Sequence, residues 1–265
     1  MVPVLDFANH RSGNAANAYY ALEDEAVVLR ARAEITPGEE VTIDYAAGEK
    51  SAAEMVFSYG FLEDTRESAG GLVLSVGPDP SDPLGALKAR IWGRQLVLRL
   101  REDAETVAWE CGFIYLAVTN PEDGLDFRAL QKQDGGRELQ MWFRDAHIEP
   151  DALEGELRKL ELWPLMRLRA VVLLQQRVGE VLAELEGSEE ACGMLRDMEL
   201  VGEQAWAVAM GLRRLEGELM KRVCGEMERE KGELLADPVV VGELERMQRE
   251  EEGGAEEELV GEDLS

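Results

Sequence analysis

Histidine and cysteine are scarce in this chain of 265 residues, and cationic residues are heavily outnumbered. There are two histidines, His10 and His147, and three cysteines, Cys111, Cys192 and Cys224. So few and so scattered, they exclude the paired spacing of a Cys/His zinc site, and no metal centre is expected. An odd number of distant cysteines also excludes a disulfide framework and fits a reducing compartment. Lys and Arg number 28 against 55 Asp and Glu, a formal net charge of -27. Such a balance argues against sequence-independent nucleic-acid binding, which needs clustered cations against phosphate. It argues equally against docking on anionic lipid. A basic protein or peptide segment is the more natural partner.

Long apolar runs are also missing. Ala170-Val171-Val172-Leu173-Leu174 is far too short to span a bilayer. The opening Met1-Val2-Pro3-Val4-Leu5 meets Asp6 at once, without a basic segment or an extended apolar stretch of the kind a secretory leader carries. These features lead us to expect a soluble intracellular protein. They do not distinguish chloroplast, cytoplasm and nucleus, and they leave the oligomeric state open.

What is present is an ordinary apolar fraction, 45%, enough for a sizeable core. The first seventy residues carry the clearest local signals. Gly, Asn and Ser crowd residues 9–17, which reads as a loop. Residues 26–31 read as a strand core behind a turn at Glu23-Asp24-Glu25. Thr36-Pro37-Gly38-Glu39 is a turn by composition. Val41 to Tyr45 is a short β-branched strand. Ser51 with Glu54 has capping-box spacing, so a helix is expected to start there and to end near Tyr59 at Gly60.

Taken in order, Asn9-His10, Pro37-Gly38-Glu39-Glu40, Tyr45, Ser51-Ala52-Ala53-Glu54 and Tyr59-Gly60-Phe61 resemble the closing half of a SET domain. The match is to the Rubisco large-subunit lysine methyltransferase-like family. The resemblance implies S-adenosyl-L-methionine as cofactor, with Asn9 and His10 at its adenosyl end. An Asn amide offers a donor and an acceptor in one plane, which suits an adenine edge. Read without the family, the same two residues simply close a loop. The resemblance makes Tyr45 the catalytic tyrosine and Tyr59 an aromatic wall of the substrate pocket. It also places a pocket tyrosine at Tyr19 or Tyr20. The two face opposite sides of a strand, and we favour Tyr20. Phe61 reads as core, and Glu39 and Glu40 as turn and surface residues. The family's Gly-x-Gly cofactor loop has no counterpart here, so the resemblance covers only part of the cofactor site.

Beyond residue 62 the signals are weaker. Residues 62–71 are linker-like, Leu72 to Val76 read as a strand, and residues 91–100 alternate enough to allow another. Residues 109–119 are apolar and of undecided type. From Asp151 the pattern is helical. One helix covers about 151–161, Trp163-Pro164 interrupts, and a second runs from Leu165 to Leu185. A long third helix is expected from Ser188 to about Leu235, with an apolar line from Met194 and Met198 through Leu212, Leu215, Leu219 and Val223. Residues 250–265 are acidic and small, and composition predicts disorder.

The expected fold is α+β: a small β-rich partial SET domain, 1–66, then a mostly α-helical domain, 72–249, and an acidic tail, 250–265. The resemblance implies that the second domain docks a protein substrate. The expected activity is transfer of a methyl group to a protein lysine. A histidine target is not separated from lysine by these motifs. The alternative is a non-catalytic helical protein-binding module that keeps a vestigial SET end.

Overall fold

The computed structural model describes residues 5–45, 50–63, 66–102, 105–131 and 135–262. By its contacts the chain divides into two units, one of residues 1–70 with 203–215, the other of residues 71–202 with 216–265.

The first unit is built from short strands. Strand β1 is Asn9–His10, β2 is Ala18–Glu23, β3 is Ala26–Ala31 and β4 is Thr42–Ile43. Strands β2 and β3 form an antiparallel ribbon in which Glu23 pairs Ala26 across the two-residue turn. Strand β1, inside the stretch expected to be loop, pairs in parallel with β4, Asn9 opposite Thr42 and His10 opposite Ile43. Only a contact 33 residues distant in sequence creates that strand, which is why local composition misses it. Asn17 anchors the start of β2 to the approach to β4. Its Oδ1 accepts from the Thr42 amide at 2.9 Å and its Nδ2 donates to the Glu40 carbonyl at 2.9 Å.

Helix α1 is Ala52–Tyr59. The Ser51 side chain accepts from the Glu54 amide at 3.2 Å, and the Ser51 amide donates to the Glu54 carboxylate at 2.8 Å. This reciprocal cap satisfies two amides that the first turn would leave unpaired. Gly60 closes the helix in the left-handed region, φ 76°, a conformation glycine adopts without steric penalty.

The second unit contains more sheet than the sequence pattern suggested. Strand β5 is Gly71–Ser75, helix α2 is Gly85–Trp92, β6 is Val97–Glu102, β7 is Val107–Glu110 and helix α3 is Ile114–Val118. Strands β8, Leu125–Gln131, β9, Arg137–Phe143, and β10, Ala146–His147, follow. They form two antiparallel three-stranded sheets, β5-β6-β7 and β8-β9-β10. The β9–β10 turn places Arg144 and Asp145 at φ 46° and 65°. Positive φ at both central residues is the hairpin geometry that matches strand twist, here without the glycine that normally advertises it. Lys88 of α2 is fully buried, yet its ammonium reaches Asp82 at 2.7 Å, the Ala117 carbonyl at 3.0 Å and Asn120 Oδ1 at 3.2 Å.

The helical part differs from expectation at three places. Helix α4 is Leu153–Leu157, and α5 runs over Trp163–Gly187. Pro164 therefore opens α5 rather than interrupting a helix, because its missing amide falls where the first turn has no acceptor. The long third helix is two: α6, Glu189–Asp197, and α7, Glu203–Leu235. Glu199 breaks them at φ 56°. Met194 and Met198 are accordingly exposed, whereas Leu215, Leu219, Val223 and Met227 are buried. Helix α8 is Pro238–Glu262, so its backbone continues past residue 250, where composition predicted disorder. Among the described residues no helix is long and apolar enough to cross a membrane.

Candidate functional site

The first unit gathers four of its ring side chains at the end of β4. The Tyr45 and Tyr59 rings lie 4.7 Å apart between centroids. His10 stands 5.1 Å from Tyr45 and 5.6 Å from Phe61, and Phe61 is 6.2 Å from Tyr59. Three separate elements bring them together. Strand β1 supplies His10, the residue two beyond β4 is Tyr45, and α1 with its glycine stop delivers Tyr59 and Phe61. Tyr45 also packs against the small apolar cluster of Ala8, Ala18 and Ile43.

The hydrogen bonds fix the orientation of these groups. The Tyr45 hydroxyl donates to the Ala8 carbonyl at 2.6 Å. Its proton is therefore committed, and its oxygen is left as an acceptor. The Tyr45 amide donates to His10 Nδ1 at 3.0 Å, and His10 Nε2 lies 3.0 Å from the Glu63 carboxylate. This sets the tautomer: Nδ1 accepts, so the ring proton is on Nε2, facing Glu63. Glu63 also accepts from the Ser12 amide at 3.1 Å and from the Ser12 hydroxyl. Asp44 accepts from the Gly13 amide at 2.8 Å. The imidazole of His10 thus braces the loop that follows β1 against the start of the Tyr45 segment.

Asn9 faces the other way, as neighbours on a strand must. Its side-chain amide donates to Glu40, and the residue is exposed. Tyr20 pairs with Leu29 across the ribbon, and Leu29 packs against the Ala8–Ala18–Ile43 cluster. Tyr20 therefore shares a face with Leu29 and Ala18. Tyr19 lies on the opposite face, with the Arg32 guanidinium 5.8 Å from its ring.

Two participants escaped the sequence reading. Lys50 donates to the Tyr59 hydroxyl at 3.1 Å and to the Tyr45 carbonyl at 3.3 Å, its ammonium 5.0 Å from the Tyr59 ring centre. Its own carbonyl accepts from Arg66 at 2.8 Å. Bonding to the Tyr59 hydroxyl raises the Lys50 pKa above its ordinary value, so it stays a cation through the neutral range. Glu63 is the other. Neither carried a signal, because a lone Lys in a loop and a lone Glu after a helix look like solvated surface. Beside the cluster, still within the first unit, a cavity of about 340 Å³ is lined by Phe61, Glu63, Arg66, Val208 and Arg214, among others.

Comparison with known proteins bears on the fold. No family model matches the chain. SET domain-containing protein 8 of Schizosaccharomyces pombe is 31% identical over 133 residues, which is 49% of this chain and 30% of that protein. Two solved structures align over 88% of this chain at 20% identity. "Structure of Rubisco LSMT bound to AdoMet" does so with a TM-score of 0.51, covering 51% of its chain. "Crystal structure of the SET domain of LSMT bound to Lysine and AdoHcy" has a TM-score of 0.52, with 50% covered. The fold is that of the Rubisco LSMT SET-domain structures. The chain spans about half the length of those solved chains and less than a third of the curated relative.

Of the two residues expected at an adenosyl cofactor, only Asn9 leaves a side-chain acceptor unused. Asn9 keeps its Oδ1 free of any bond to Glu40, which takes only the amide nitrogen, so an adenine amine has an acceptor there. His10 has both ring nitrogens engaged and could contribute only main-chain groups.

Proposed function

We propose that this chain carries one wall of an S-adenosylmethionine-dependent protein methyltransferase site, with a lysine side chain of a protein as acceptor. The observation that supports this best is the pairing of Tyr45 and Tyr59, with the Tyr45 hydroxyl proton committed to the Ala8 carbonyl. The SET and LSMT likenesses, two of them with AdoMet, AdoHcy or lysine in their names, support the same reading.

S-adenosylmethionine, when bound, supplies a sulfonium methyl group. The amine lone pair would take that methyl group with the thioether as leaving group, and the resulting ammonium would give its proton to water. Tyr45 presents an oxygen acceptor to polarised methyl C–H or to the amine N–H. The two rings wall a narrow approach that lines up the lone pair. Such a fixed, unreorganising arrangement is the larger part of what a protein contributes to this displacement. Tyr20, half exposed on the cluster-facing side of β2, is assigned to the same substrate pocket, and Asn9 with the main chain of His10 takes the adenosine.

The domain scheme follows: residues 1–66 carry the SET wall, 72–249 dock the protein substrate, and 250–265 form an acidic tail. A strongly acidic chain fits a basic protein as that substrate. Radiolabelled methyl transfer to a lysine-rich protein tests the reading. Tyr45→Phe is expected to lower turnover by about 10²-fold or more, the scale of losing one preorganised polar group, with cofactor affinity kept. Undiminished turnover in Tyr45→Phe removes that residue from the role.

A second reading has its own support in the extensive helical part, α4 to α8. On that reading the chain is a non-catalytic binding module. Calorimetry separates the two: a protein ligand that binds while S-adenosylmethionine gives no heat favours the module.

A further inference from the structure

We propose that Lys50 is a positioning residue of the tyrosine pair, and that its fixed positive charge makes the pocket select an uncharged amine. The proposal rests on the reading of Tyr45 and Tyr59 as the walls around the acceptor nitrogen. Its own evidence is the bridge. One ammonium joins the Tyr45 main-chain carbonyl at 3.3 Å to the Tyr59 hydroxyl at 3.1 Å, and so ties the strand-end residue to the end of α1. The Tyr45 carbonyl lies outside any helix or strand ladder, and the Tyr59 hydroxyl would otherwise rotate freely about its C–O bond. Lys50 takes a lone pair from each and fixes both. Its backbone is held in turn by Arg66, which donates to its carbonyl at 2.8 Å.

The charge has a separate consequence. A second ammonium entering beside the first is repelled, whereas a neutral amine is not. Methyl transfer needs the amine lone pair, so a cation at this position favours the reactive form of the acceptor. The described groups that act on Lys50 keep it a cation. Tyr59 on α1 and Tyr20 on β2 are phenols. Among the described residues Glu54 on α1 is the carboxylate acting on it, and Glu54 is engaged by the Ser51 amide. Arg66 adds a further positive charge nearby.

Binding of a lysine-containing peptide, followed by NMR from pH 7 to pH 9, reads this without any turnover. In the natural chain the affinity should rise close to tenfold per pH unit, tracking the neutral fraction of a lysine whose pKa is about 10.4. Lys50→Met should bind with little pH dependence, and Lys50→Arg should restore the slope. A natural chain whose affinity is flat with pH, or a slope that survives in Lys50→Met, overturns the proposal. Absence of peptide binding in all three proteins instead overturns the lysine-pocket reading on which it stands. As an independent check of the bridge, Lys50 should acylate several-fold more slowly than exposed Lys159, and Tyr59→Phe should narrow that gap. Equal rates in the natural chain contradict the bridge.

Discussion

The two units are held together by different means. In the second, large apolar side chains are buried: Leu98, Leu100, Phe113, Ile114, Met166, Val171, Leu174, Leu219 and Met227 among them. In residues 1–70 the buried apolar residues described are five alanines with Ile43 and Met55. Large apolar side chains there are on the outside instead, Phe57 at 94% exposure, Phe7 at 86% and Leu22 at 81%. What joins the segments of residues 1–70 is polar: Asn17 on Thr42 and Glu40, Glu63 on His10 and Ser12, Asp44 on Gly13, Glu54 on Ser51. Hydrogen bonds each contribute about 1 kcal/mol net, while a buried Leu or Phe contributes about 1.5–3 kcal/mol. The difference teaches that residues 1–70 are specified by directional contacts, which suits a site, and that stability is concentrated in the second unit.

The comparison can be broken most sharply at Lys88. Asp82→Ala leaves that ammonium buried without its carboxylate, and should cost about 3–5 kcal/mol in chemical denaturation. Leu174→Ala, fully buried in α5, should cost about 2–5 kcal/mol. Losses in both that fall below 1 kcal/mol would mean the second unit is not the stable one. Ser51→Ala removes the α1 cap and should cost about 1 kcal/mol, felt as faster amide exchange in residues 52–60 and unchanged exchange in α5.

Acid sharpens the comparison without any substitution. The Glu54 and Glu39 carboxyls are held below their ordinary value of 4.5, chiefly by backbone amide donors, Ser51 for one and Thr36 for the other. A depressed folded pKa means stability that is complete above pH 4.5 and is lost as the pH falls through the folded value. Amide exchange around Thr36 and Ser51 should therefore accelerate below pH 4.5. Exchange there that is as slow at pH 3 as at pH 6, after correction for intrinsic rates, contradicts the role of these carboxylates. The smallest effect concerns Cys111, whose thiol burial pushes up to about 11. It should react with thiol reagents at neutral pH far more slowly than Cys192, and comparable rates would mean that its surroundings open readily.

How much of this was legible beforehand depended on the range of the interaction. Helix α1 was readable from end to end, because Ser51, Glu54 and Gly60 carry its start and stop within ten residues. Strand β3 and the turn before it were readable for the same reason, whereas its pairing with β2 was not read. Strand β1 was not, since a two-residue strand exists only through β4. Strand β10 was missed because its turn at Arg144-Asp145 uses positive φ without Gly or Asn; β8 and β9 went unread although Asp134-Gly135-Gly136 between them is a hairpin signal. The single long helix after Ser188 failed because an apolar line at steps of three and four continues through Glu199, where the backbone does not. At the site, the order of Asn9, His10, Tyr45 and Tyr59 could be read, and the structure brings His10, Tyr45 and Tyr59 into one cluster. That His10 is a brace, and that Lys50 bridges the tyrosines, depended on hydrogen bonds between distant residues.

The central claim is that Tyr45 and Tyr59 face a lysine nitrogen while Asn9 faces an adenosine. Ring and amide NMR shifts of these residues test it most directly, during titration first with S-adenosylhomocysteine and then with a lysine peptide. The account predicts that the nucleoside moves the Asn9 and His10 amides and that the peptide moves the Tyr45 and Tyr59 rings. Ligand-induced shifts confined to the second unit, with all four residues unmoved, would contradict it.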